Sequence, residues 1–183
     1  MAKLKLAIVV GSNRRESINR KLAQALAKLA SDAFEPSFVQ IDDLPLFNQD
    51  LEPNRPEPTL RLKREIEAAD AILIVTPEHN RSIPAVLKNA IDWASRPYGR
   101  NSWAGKPVAV TGTSGGGVGT AVAQNELRMI MTNLAGVVVG SQVFITFKEG
   151  LIDAGHNVTD EGTRSFLKGF VDGFAKTAGK LAA

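Results

Sequence analysis

The chain has 183 residues, 44% apolar and 22% charged, with a formal net charge of +3. That balance describes a globular chain and excludes disorder and collagen-like repeats. With no cysteine and only His79 and His156 as histidines, disulfides, thiolate metal sites and a multi-histidine zinc centre are excluded as well, and no metal is expected.

No apolar run approaches the roughly 20 residues of a membrane helix. Met1 to Lys5 leads directly into alternating apolar residues, without the pattern of a signal peptide, so the expected location is the cytoplasm. The basic residues are scattered: Arg14, Arg15 and Arg20; Arg61, Lys63 and Arg64; Arg96 and Arg100. They form no continuous stripe, and neither nucleic acid nor membrane is an expected partner.

Leu4, Leu6 and Ile8 alternate with lysines before Val9 and Val10 close the run, which reads as a first strand. Gly11-Ser12-Asn13-Arg14-Arg15-Glu16-Ser17-Ile18-Asn19 follows. After it, Ile18, Leu22, Ala25, Leu26 and Leu29 recur at helical spacing, predicting a helix over 17–31. A strand that ends in a Gly/Ser turn and feeds a helix aims backbone N–H groups and a positive dipole end outward, as an anion site requires. Ser12, Arg14, Ser17 and Asn19 add side-chain donors. The same residues also read as an ordinary helix start capped by Ser17.

Ser37 to Ile41 reads as a second strand. Asp42 to Pro58, with Pro45, Pro53, Pro56 and Pro58, is a long irregular segment, which marks it as functional or interfacial. A short surface helix is predicted over 59–69. The apolar stretch from Asp70 to Thr76 reads as a strand buried on both faces. Pro77-Glu78-His79-Asn80-Arg81-Ser82-Ile83-Pro84 is the next loop. A helix over 84–95 starts at Pro84, where the missing N–H costs nothing.

Arg96 to Gly105 is a loop holding Tyr98, Arg100 and Trp103. Val108 to Gly112 is a fourth strand, and Thr113-Ser114-Gly115-Gly116-Gly117-Val118-Gly119 is its terminal loop. Leu127, Ile130, Met131 and Leu134 fix the next helix, with Gly136 as its stop. A fifth strand is expected from Val137 to about Val143, then a connection over 144–158. The last helix carries Phe166, Phe170 and Phe174 in one stripe, read as core packing. Five strands with intervening helices give an open parallel α/β sheet covered on both faces, in a single domain over 1–183.

In such sheets, ligands bind beyond the carboxyl ends of the strands. Neither G-x-G-x-x-G after the first strand nor a P-loop pattern is present. The three loops together resemble those of the NAD(P)H-dependent FMN reductase family, the flavodoxin-like quinone and chromate reductases. Gly11, Ser12, Arg14, Ser17 and Asn19 match that family's G-S-x-R-x-x-S-x-N phosphate loop. Pro77-Glu78-His79-Asn80-x-Ser82-x-Pro84, followed by Leu87 to Trp93, matches P-E-Y-N-x-S-x-P and L-K-N-A-I-D-W. Ser114 to Gly119 resembles the family's flavin-edge loop, and Asp43 to Leu51 also fits. The similarity spans roughly residues 4–143. It departs at His79, where the family has Tyr.

The resemblance implies a flavodoxin-like three-layer sandwich with strand order 2-1-3-4-5. It implies FMN as cofactor, NADPH or NADH as electron donor, and ping-pong reduction of quinones or small acceptors such as chromate in a homodimer or homotetramer. Ser12, Arg14, Ser17, Ile18 and Asn19 would hold the FMN phosphate. Pro77, Glu78, His79 and Asn80 would run beside the isoalloxazine, and Ser114, Gly115, Gly116 and Gly117 would offer N–H donors to its polar edge. Asn80 and Arg100 are candidate substrate contacts. No protein side chain is expected to be catalytic, and Glu78 reads better as a structural carboxylate than as an acid. Two other readings stand beside this enzyme: a flavodoxin-type electron carrier and a nucleotide-binding regulator without redox chemistry.

Overall fold

The structure is a computed structural model that describes residues 3–182. The first strand is β1 (Leu4–Val10), buried from Leu6 onward. It feeds α1 (Ile18–Ala30), whose first turn is capped by Ser17: the hydroxyl accepts from the Arg20 N–H at 3.2 Å. The chain returns as β2 (Phe34–Val39) and passes through a 3-10 helix over Gln49–Asn54 into α2 (Glu57–Ala68), β3 (Ala71–Val75) and α3 (Ala85–Ala94). It ends with β4 (Pro107–Ser114), α4 (Ala121–Asn133), β5 (Val137–Val138), β6 (Phe144–Thr146) and α5 (Glu161–Leu181). β2 begins at Phe34, earlier than expected, and runs through Pro36. It is an edge strand, where a residue without an N–H is tolerated.

The strands are parallel in the order β2-β1-β3-β4-β5, as expected of a flavodoxin-like sheet. Alternation along β1 divides the interior. Leu6, Ile8 and Val10 pack with α1 and α5 on one face, and Ala7 and Val9 pack with α2, α3 and α4 on the other.

Three expectations are corrected. The fifth strand does not run unbroken to Val143. β5 pairs Val138 with Val108, and β6 resumes at Phe144 opposite Gly112, so the edge chain covers six residues where β4 covers four. The detour turns at Gly140 (φ +87°) and is drawn back at Val143, whose carbonyl accepts from Thr111 Oγ1 and Gln124 Nε2, both at 3.0 Å. The connection expected over 144–158 therefore begins as strand. Second, α4 ends at Asn133 and the chain leaves it through Ala135, ahead of the expected Gly136, in the left-handed conformation (φ +57°). The Gly136 N–H donates to Met131 O and the Ala135 N–H to Thr132 O, a Schellman pair. Third, Phe170 and Phe174 are buried but Phe166 is half exposed. Steps of four residues drift by about 40° each on a 3.6-residue helix, so the buried stripe passes through Leu167 instead.

Candidate active site

The loops leaving β1, β3 and β4 converge beyond the carboxyl ends of the central strands. In the first, the Gly11 N–H still belongs to the sheet, donating to Val75 O at 2.9 Å. The backbone N–H groups of residues 12–17 then find no acceptor among the described residues. Arg14 and Arg15 are exposed beside them, and neither makes an ion pair among the described residues. Ser12 is half-buried, and the buried Ser17 keeps its O–H to give while its oxygen caps α1. A row of free N–H groups, an arginine and a helix N-terminus form an anion cradle.

Asn19 joins two elements. Its side chain is buried, its Nδ2 donates to Thr113 O and its Oδ1 accepts from the Thr113 N–H, both at 2.9 Å. The amide thus staples α1 to the end of β4, and its second Nδ2 hydrogen has no partner among the described residues. Ile18 opens the helix and contributes its backbone to the same turn.

Residues 79–82 form a two-residue hairpin. The His79 N–H donates to Ser82 O and the Ser82 N–H to His79 O, with Asn80 and Arg81 both left-handed at φ +51° and +64°. His79, Asn80 and Arg81 are exposed at its tip, and Pro77 is half-buried at its root. Glu78 turns inward: one carboxylate oxygen accepts from the N–H groups of Val122 and Ala123, and the other pairs with Arg81.

β4 continues through Ser114, so the third loop proper begins at Gly115. Gly112 lets β4 pass close to the neighbouring loop, since a Cβ there would fall 1.9 Å from Thr76 O. Gly115, Gly116 and Gly117 differ: a Cβ on any of them meets nothing within 4 Å. Their N–H groups make no hydrogen bond among the described residues. Ser114 Oγ donates to Gly116 O at 3.0 Å and holds the turn. Below it, the fully buried Gln124 donates to Gly119 O and Thr120 Oγ1. Gln124 was not singled out from the sequence. Its signal is a polar residue one turn before Leu127 on the apolar stripe of α4.

The Leu87–Trp93 motif serves a fourth segment. Asn89 Oδ1 accepts from the Phe47 N–H at 2.7 Å, while Asn89 Nδ2 and Trp93 Nε1 both donate to Pro45 O. The long irregular segment is thereby fastened along α3. Arg100 lies elsewhere. It sits in the turn between α3 and the start of β4, where Lys63 Nζ donates to its carbonyl. The length of α3, about 15 Å at 1.5 Å per residue, separates it from the hairpin. Within one chain Arg100 therefore stands at the opposite end of α3 from the hairpin. Trp103, in the same turn, is fully buried, whereas Tyr98 is 92% exposed.

Residues 4–150 match the NADPH-dependent FMN reductase family, to which this chain belongs. It is a flavin-dependent oxidoreductase with FMN as cofactor and NAD(P)H as electron donor. Its relatives include a 2-hydroxy-1,4-benzoquinone reductase of Burkholderia sp, 50% identical with 94% of each chain covered. A quinone reductase of Pseudomonas putida is 45% identical, over 93% of this chain and 92% of its own. Among solved structures, a flavoenzyme NAD(P)H:(acceptor) oxidoreductase from Paracoccus denitrificans superimposes with a TM-score of 0.94 at 47% identity, covering 97% of this chain and 98% of that one. The residues present fit FMN: a cationic cradle of free N–H groups suits its phosphate, and an open glycine turn with unpaired N–H groups suits a flat ring edge.

Proposed function

We propose that this enzyme reduces quinones with electrons from NAD(P)H. The observation that carries the reading is the backbone donors of residues 12–17 and 115–117, without partners among the described residues, on the loops that leave the carboxyl ends of β1 and β4, with Arg14 exposed on the first. Ser12, Arg14, Ser17 and Asn19, with the backbone to Ile18, hold the FMN phosphate. Pro77, Glu78, His79 and Asn80 line one side of the ring system, and Ser114 to Gly117 donate to its polar edge. When bound, FMN supplies the hydride chemistry, and the protein's part is to bind, orient and stabilise charge. Quinone as acceptor class follows the two relatives named for it; chromate is a further small acceptor that Asn80 would meet first.

One pocket serving donor and acceptor in turn means alternate occupancy. The enzyme works as a homodimer or homotetramer in the cytoplasm, and Arg100 reaches a flavin only from a second copy. A flavodoxin-type carrier is the weaker reading, because a net charge of +3 runs against the acidic docking face such carriers present. Anaerobic titration with NADPH and with NADH tests the proposal: the visible absorbance of the flavin should bleach with at least one of them. Steady-state rates with NADPH and a benzoquinone should give parallel double-reciprocal lines. Intersecting lines, or no bleaching by either nucleotide, would overturn it.

A further inference from the structure

We infer that Glu78 is a positioning residue that locks the two loops flanking the flavin ring into one body, an inference that rests on the FMN site proposed above. Its carboxylate, 10% exposed, bridges two elements far apart in sequence. The oxygen Oε2 accepts from the N–H groups of Val122 at 3.0 Å and Ala123 at 3.2 Å, in the first turn of α4. That turn has no cap of its own. Thr120 stands at the N-cap position in the left-handed conformation (φ +67°) without a side-chain cap bond, and its hydroxyl instead accepts from Gln124. α4 thus borrows its cap from the loop after β3. The borrowed group is an anion at a helix N-terminus, where charge and dipole agree.

The other oxygen, Oε1, accepts from Arg81 Nη1 at 3.0 Å. Arg81 occupies the second place of a turn in which glycine is usual, at φ +64°, so its guanidinium folds back over its own hairpin. Hairpin tip, carboxylate and helix start therefore form a continuous strut. On one side it fixes the backbone of His79 and Asn80. On the other it fixes α4, into which the Gly115–Gly117 turn leads. Moving either loop alone breaks the strut.

The test compares FMN and riboflavin binding to apoprotein, followed by flavin fluorescence. Removing a charge-assisted acceptor from two N–H groups is expected to weaken binding about tenfold in Glu78→Ala, with a smaller loss in the isosteric Glu78→Gln. Both ligands should lose by the same factor, because the strut acts at the ring and not at the phosphate. The visible circular dichroism of bound flavin should change in both variants, and amide exchange at Val122 and Ala123 should accelerate. If Glu78→Ala does not fold, Glu78→Gln decides by the same readings. Unchanged affinity and dichroism in a folded variant, or a loss confined to FMN, would overturn the inference. Wild-type apoprotein that fails to bind FMN would instead overturn the cofactor site itself.

Discussion

Arg14 stands exposed above the free N–H groups of residues 12–17 and makes no ion pair among the described residues. A cation so placed has an anionic ligand as its natural partner. Arg14→Ala should weaken FMN by at least about tenfold, the loss of a charged hydrogen bond worth roughly 1.5–3 kcal/mol. Riboflavin, without the phosphate, should lose little. Fluorescence titration of the apoprotein with both flavins checks this, and equal losses would show that no phosphate lies there. The cap made by Ser17 was legible in the sequence because capping is local, spanning three residues. Asn19 was legible as part of a motif, but its partner Thr113 was not, because 94 residues separate them. Glu78 likewise gave no sign of the helix it caps.

Between α2 and the turn before β4 runs a polar clasp. Lys63 Nζ donates to Ser102 Oγ at 2.6 Å, and Ser102 in turn donates to Glu67 Oε1 at 2.7 Å. The Ser102 hydrogen bond, helped by the Lys63 cation, holds the Glu67 carboxyl below its ordinary value of 4.5. The folded state then binds this proton less readily than the unfolded chain does. The stabilisation is accordingly complete above the ordinary value and lost as the pH falls through the lower folded one. For a half-exposed carboxylate the effect is modest: Glu67→Gln should lower Tm by about 2–4 °C near neutrality. The difference from wild type should vanish as the pH is taken below the folded value, which thermal denaturation across that range would check. A constant difference would show that the charge is not involved. At this scale, β1, β3 and β4 were plain from their apolar runs. The break between β5 and β6 was not, since Thr111 and Gln124 create it from elsewhere in the chain.

Across the whole molecule, the most exposed large apolar side chains are Tyr98 at 92% in the turn after α3, Leu46 at 82% on the segment fastened to α3, and Met129 at 68% on α4. Aromatic and Met side chains are enriched in interface cores. Sedimentation at micromolar concentration should therefore show a dimer or larger, and a 19.6 kDa species would refute this. Tyr98→Glu should shift the distribution towards the monomer. The location of the loops at the carboxyl ends could be read from strand–loop–helix order alone. The order of strands in the sheet came from the family resemblance, because hydropathy does not say which strand neighbours which. Strand–loop–helix order also puts the Arg100 turn, between α3 and β4, at the amino ends of the strands, but it does not say what a second copy of the chain brings near it.

Both tryptophans, Trp93 and Trp103, are fully buried in the core shared by α2, α3 and α4, with their indole N–H groups donating to Pro45 O and Ile91 O. Intrinsic emission is consequently a one-sided witness. It follows the fastening of the Pro45 segment and the footing of α3, while α1 and α5 on the opposite face stay silent in it. Far-ultraviolet dichroism, to which every helix contributes, is weighted differently. A denaturation followed by both probes therefore resolves what neither resolves alone: how firmly the central sheet binds its two covers into one cooperative unit.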